Sequence, residues 1–467
     1  MFSRFSTYNR NTRHTKLKQM AKPKLALIPA AQGSDLYSVL PSSGVGDFDF
    51  SRSGTATRIN SQGLIEEVAN GQSRLNYPMI DGKVVGCPHH ILEPARTNLV
   101  TYSEEFSNAA WSKSNSSITS NSVISPDGTL NASTLTDNTV NGIHRLRDSI
   151  SLSASTDYSL SVFAKKGTLS NIQLALINTG NSSTSSRVFD LENGALGESL
   201  TSGGTLSNSK ITDYGNGWFK CEITSQLNST PNTYQITLAT KSSGNATNSF
   251  QVTYDGDGSG NVYLYGAQLE EGSHPTSYIP TNGESGLVTR SAETANGSGD
   301  AATFNDSEGV LMVEISSFEE IPTTSEHIVL RNSASTNFSD SILIQHRNDG
   351  NLRIYADGFA TGNIQFIVTD INWLENNKIA IQYDSISSNY KLFLNGIAKA
   401  RYSNATNQSV VGLNDISFYW GSVNNPFYGN TKQLQYFETA LTDSELEQIT
   451  SWTSFTDMAQ GQQYSIK

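Results

Sequence analysis

The sequence predicts an all-β chain: two antiparallel β-sandwiches in succession, after a small N-terminal β region. Three observations predict it. Apolar residues alternate with polar ones at period two over many short runs. Gly, Asn and Ser clusters separate these runs. A helical pattern occurs only near the C-terminus, in TDSELEQITSW.

Composition sets the outer bounds. A chain of 467 residues is long enough for about two or three cored domains. Charged residues make up 16%, against about 25% in an ordinary globular domain, so the surface is polar but sparsely charged. The net charge of −12 argues against nucleic-acid binding as the main task, because phosphate contacts need a basic face. No run of about 18 apolar residues occurs, so no membrane-inserting segment is expected.

Taken in order, residues 1–20 carry five Lys and Arg (Arg4, Arg10, Arg13, Lys16, Lys18) and no acid. No apolar stretch follows, so a secretory signal is not expected. This basic leader reads either as a disordered end, with Met20 as an alternative start, or as an arm that docks on a larger assembly. Residues 21–92 are rich in Gly, Ser and Pro. The stretch SRSGTATRINSQGLIEEV within them reads as two strands joined at Asn60 to Gly63. The region has too few apolar residues for a strong core of its own and is expected to lean on a neighbour.

Residues 93–282 hold the clearest alternation. Tyr158, Leu160, Val162 and Ala164 form one inward row, Ile172, Leu174 and Leu176 a second, and Tyr234, Ile236 and Leu238 a third. Sheets of this kind bury their apolar faces against each other. Residues 283–305 break the pattern and read as a linker with a lead-in strand. Residues 306–456 form the second sandwich, in which Ile379, Ile381 and Tyr383 are expected to face Tyr390, Leu392 and Leu394 across a hairpin. Its closing helix starts at Thr442, with Glu445 three residues on as a capping box. Residues 457–467 read as an irregular tail.

The two cysteines, Cys87 and Cys221, are too few and too far apart for a disulfide framework, and both read as free and buried. His89 and His90 sit beside Cys87, but their adjacency and Pro88 make a shared metal awkward, and a structural turn is favoured. Enzyme signals are thin: no nucleophile elbow, zinc-protease motif or phosphate loop is present. Glu314, Glu319 and Glu320 are wrongly spaced for a glycosidase pair on one strand face. A non-catalytic protein with no required cofactor is expected.

The stretches SRSGTATRINSQGLIEEV, ILEPARTNLVTYSEEFSNAAWSKSN, GNGWFKCEIT and VYLYGAQLEEGSHPTSYIPTNG are spread over roughly residues 45–290. Together they resemble a widespread family of bacteriophage tail-fibre and virion surface proteins. Within that span, residues 93–282 resemble a carbohydrate-binding jelly roll. Residues 306–456 resemble the concanavalin A-like, laminin-G type sandwich, through NKIAIQYDSISSNYKLFLNGIAKA and GNTKQLQYFETALTDSELEQI. The resemblance implies a virion location on tail or capsid, attachment through residues 21–92, and outward sandwiches that bind host cell-surface polysaccharide. It also implies other virion proteins as partners and a homo-oligomer. A purely structural virion protein and a glycan depolymerase are the alternatives.

Candidate sites follow from residue chemistry. Sugars are held by aromatic faces and planar polar side chains, which singles out Trp218, Tyr419, Trp420 and the loop residues Asn424, Asn425, Phe427 and Tyr428. The stretch YDGDGSGN admits two readings. It fails as an EF-hand, because the twelfth position from Asp255 is Gly266. The jelly-roll resemblance implies a structural calcium, for which Glu104, Glu105, Asp255 and Asp257 are the candidate ligands. The favoured reading is a tight turn, with Gly256, Gly258 and Gly260 at positive φ.

Overall fold

A computed structural model describes residues 21–29, 31–32, 35–180, 183–230, 233–239, 252–283, 286–335, 340–357, 364–403, 410–420, 425–453, 457–458 and 461–462. The basic leader at 1–20 lies outside them. The protein is all-β, and its one long helix is Asp443–Ser451. Among the described residues no helix is long and apolar enough to cross a membrane.

The jelly roll is two six-stranded antiparallel sheets. One runs in the order Ser112–Ser114, Arg145–Ser149, Thr233–Ala239, Asn171–Asn178, Ser183–Asp190, Ala195–Ser202. The other runs Ser116–Val123, Ala132–Asp137, Asn261–Glu271, Asp157–Lys166, Trp218–Leu227, Gly204–Asp213. The three inward rows read from the sequence meet in one core with Leu135, Cys221 and Leu264.

The second sandwich faces an eight-stranded sheet with a five-stranded one. Its hairpin registers Ile379 opposite Leu394 and Ile381 opposite Leu392, as the alternation predicts. It is not built from residues 306–456 alone. Gly429–Phe437 is flanked by Glu308–Ser317 on one side and by Leu25–Leu27 and His89–Leu92 on the other. Thr294–Asn296, in the stretch read as a linker, pairs with Phe48–Ser51. Leu25, Leu27, Phe48, Phe50, Leu92 and Ala295 all enter its core. Residues 21–92 thus lean on a neighbour by supplying part of its core, and the jelly roll interrupts this second body.

Two local expectations need correction. His89 and His90 lie within the strand His89–Leu92, both buried, and not in a turn. Cys87 is exposed, whereas Cys221 is buried in the jelly-roll core. Alternation places Cys221 from its own strand, but nothing local marks which end of the CPHH stretch is covered.

Candidate functional site

The structure scatters the predicted glycan residues and takes several from the surface. Trp218 is 2% exposed and its Nε1 donates to Ile124 O at 3.1 Å. Its strand face is covered by Ile59 and Ile65 of the 56–68 hairpin, a cover that no local pattern announces. Trp420 packs on Val329 and Leu343, and Phe427 enters the second core. Tyr419 is half-buried, with the Arg331 guanidinium 5.2 Å from its ring centre. The Asn425 carbonyl lies 3.1 Å from His327 Nδ1. Tyr428 is half-buried beside Arg96 and Glu326 in a hollow of about 320 Å³. Asn424 lies outside the described residues.

The candidate calcium ligands do not assemble. Asp257 Oδ1 accepts from Ser259 N at 2.7 Å, Ser259 Oγ at 2.7 Å and Gly260 N at 3.1 Å, which closes a turn on itself. Glu104 instead accepts from Tyr278 Oη at 3.0 Å and Asn131 Nδ2 at 3.3 Å. Burial is the largest influence on the Glu104 carboxyl and raises its pKa. Glu105 and Asp255 are exposed. No group of three or more His, Cys, Asp or Glu gathers among the described residues, so these four acids do not fit a shared cation. Of the three turn glycines, only Gly258 has positive φ. Gly256 is required by close approach, since a Cβ there would sit 1.9 Å from Asn138 O.

A buried ionic hub joins the two bodies, and sequence reasoning missed it. Arg74 Nε meets Glu293 Oε1 at 2.8 Å, and Arg74 Nη2 meets Glu93 Oε2 at 2.7 Å. Arg52 Nη1 adds Glu293 Oε1 at 2.9 Å, and Arg290 Nη1 adds Glu93 Oε2 at 2.8 Å. Ser277 Oγ donates to Glu93 Oε2 at 2.6 Å. Burial alone raises the Glu93 pKa, but Arg290 and Arg74 outweigh it and hold the carboxyl well below its usual range. Burial lowers Arg74, yet Glu293 and Glu93 raise it overall. Much of the family-like wording goes here: Arg52 and Thr57 from SRSGTATR, Glu93 from LEPAR and Ser277 from TSYIPT. That wording, concentrated in polar residues outside the alternating runs, was the available signal.

The outer face of the first jelly-roll sheet carries an unusual polar row. Arg145 and Gln173 lie opposite Thr237, and Arg147 and Ala175 opposite Gln235. Arg145 Nη1 donates to Gln235 Oε1 at 3.0 Å, and Gln173 Nε2 to Ser186 Oγ at 3.2 Å. Gln173, Gln235 and Thr237 are at most 1% exposed. Yet Gln173 Oε1, Gln235 Nε2 and Thr237 Oγ1 have no hydrogen-bond partner among the described residues. Such buried, unmatched groups cost about 1–3 kcal/mol each. The row runs on into a hollow of about 410 Å³ lined by Arg147, Ser149, Ile150, Ser151, Thr179 and Thr233.

No protein-family model matches the chain, and no curated protein does. Among solved structures, the chain is similar to the CBM40 domain of Ruminococcus gnavus IT-sialidase bound to α2,3-sialyllactose, at 19% identity and a TM-score of 0.28. That likeness spans 32% of this chain and 86% of the other. It is also similar to the leech intramolecular trans-sialidase, at 20% identity and a TM-score of 0.27, over 32% of this chain and 24% of that one. A heptameric SAP-like pentraxin from Limulus polyphemus matches at 13% identity and a TM-score of 0.26, over 32% and 71%. Likenesses this slight carry no argument about function, which has to come from the chain's own residues.

Proposed function

We propose that the chain is a bacteriophage virion surface protein, a tail fibre or receptor-binding subunit, that binds host cell-surface glycan without cleaving it. The motifs of residues 45–290 support the virion assignment. One observation carries the binding: the polar row continues past its buried residues into an open hollow of about 410 Å³ lined by Arg147, Ser149, Thr179 and Thr233. A guanidinium group beside side-chain hydroxyls pairs with the vicinal hydroxyls of a sugar. Weak single sites gain strength through many copies on one particle.

A second reading, a purely structural virion protein, is favoured by the hub, which turns much of the family-like wording into internal bracing. Purified full-length protein on an array of bacterial surface polysaccharides, with reducing ends assayed in parallel, separates the two. Binding that weakens at least tenfold in Arg147→Ala, with no new reducing ends, is expected. Release of reducing ends makes the protein a depolymerase. Failure to bind any glycan, together with tight uptake onto particles, leaves the structural reading.

A further inference from the structure

The junction of the two bodies holds a second hollow, separate from the polar row. A cleft of about 510 Å³ lies there, within the roughly 300–1,000 Å³ of small-ligand sites. Phe163, Tyr214 and the Lys220–Glu222 pair come to it from the jelly roll. His89 and Asn430 come from neighbouring strands of the eight-stranded sheet. The chain segment bearing His274 completes it.

Three observations define what fits. First, all but one of the charged groups lining the cleft are already committed. Lys220 meets Glu222 at 2.6 Å, Arg58 meets Glu66 at 3.1 Å, and His274 Nδ1 meets Glu319 Oε1 at 2.6 Å. Glu93 belongs to the hub. Lys210, exposed on its strand, is the one lining cation with no ion pair among the described residues. Beyond exposed Lys210, an ionic ligand would have to strip a formed pair, which costs more than it returns. Second, among the described residues His89 Nδ1 and His274 Nε2 have no hydrogen-bond partner, although both residues are only 8% exposed. Burial, with Lys432 adding to it, lowers the His89 pKa to about 4, so this imidazole is neutral and offers one donor and one acceptor. Third, the remaining lining mixes ring and aliphatic faces (Phe163, Phe318, Ile91) with amides (Asn76, Asn430). That combination suits a molecule with a C–H face and a rim of hydroxyls.

We infer that the cleft binds a neutral saccharide of one or two rings, whose hydroxyls meet the imidazoles of His89 and His274. Because the lining comes from both bodies, the ligand also bridges them. This site does not depend on the polar row, so either can fail alone.

The test uses the full chain labelled with nitrogen-15 at histidine. Ring signals are assigned with His89→Gln and His274→Gln. The probes are the methyl glycosides of glucose, galactose, mannose and N-acetylglucosamine, with glucuronate and glucose 6-phosphate as charged controls. At least one neutral glycoside should shift both ring signals saturably. Its Kd should rise at least tenfold in Asn208→Trp, which fills the cleft from an exposed lining position, and in Lys210→Trp as an independent block. Arg147→Ala should leave it unchanged. No shift with any neutral glycoside, shifts that survive both blocking variants, or tighter binding of the charged controls would each overturn the inference.

Discussion

Arg74 and Glu293 lie 219 positions apart in the chain, yet both side chains are fully buried against each other. Removing one partner leaves the other charge unpaired in the interior, at a cost of about 3–5 kcal/mol. Glu293→Gln should therefore lower the unfolding free energy by about that much in urea titration, and a loss no larger than a surface ion pair gives would refute the hub. The same residues set the response to acid. The Glu93 pKa is held low in the folded protein, so its stabilisation is present above its ordinary 4.5 and lost as pH falls below it. Burial lowers His89 from 6.5 to about 4 and His90 to about 3. Below pH 6.5 the unfolded chain takes protons that these folded histidines refuse. Each contributes about 1.4 kcal/mol per pH unit of lost stability as acid is added, until its folded pKa is reached. Thermal melts of wild type and His90→Phe between pH 7 and 4 should diverge in slope. Parallel curves would show that His90 takes up protons in the folded state. The hub residues were not legible as a site, because charge alone does not reveal which partner will close over it.

At the scale of elements, local rules were reliable wherever the partner was near in sequence. The helix Asp443–Ser451 begins at Thr442, whose Oγ1 accepts from Glu445 N at 3.3 Å while Glu445 Oε2 accepts from Thr442 N at 2.9 Å. Leu446 and Ile449 cover Val310, Met312 and Phe393 on the outer face of the eight-stranded sheet. Thr442→Ala should cost about 1 kcal/mol, read as a lower urea midpoint at unchanged slope; an unmoved midpoint would deny the cap. The 379–394 hairpin register was legible for the same reason. Trp218, Trp420 and Phe427 are buried against expectation, because alternation says which side a residue faces, not whether that side is later covered. Trp218 faces away from the jelly-roll core and is still buried, under Ile59 and Ile65.

At the scale of the whole molecule, the second sandwich depends on strands that precede the jelly roll. Residues 306–456 expressed alone lack Leu25–Leu27 and His89–Leu92, and leave an edge of Gly429–Phe437 open. Unpaired strand edges invite aggregation. That fragment should collect in the insoluble fraction, while residues 93–283, whose core runs from Val100 to Leu269, should give a soluble fragment with a β-rich circular dichroism spectrum. A soluble, cooperatively melting 306–456 would contradict this dependence.

The sequence by itself determined the fold class, the strand runs and the capped helix, because period-two burial and capping are set by residues a few positions apart. Only the tertiary structure decided that residues 25–92 complete the second sandwich, that the family-like motifs become a buried hub, and that two sheet faces enclose a cleft. Those contacts join residues up to several hundred positions apart, as with Leu25 opposite Tyr436. No local periodicity encodes a partner at that distance, since it is selected by the shapes and charges of surfaces that exist only once both bodies have formed.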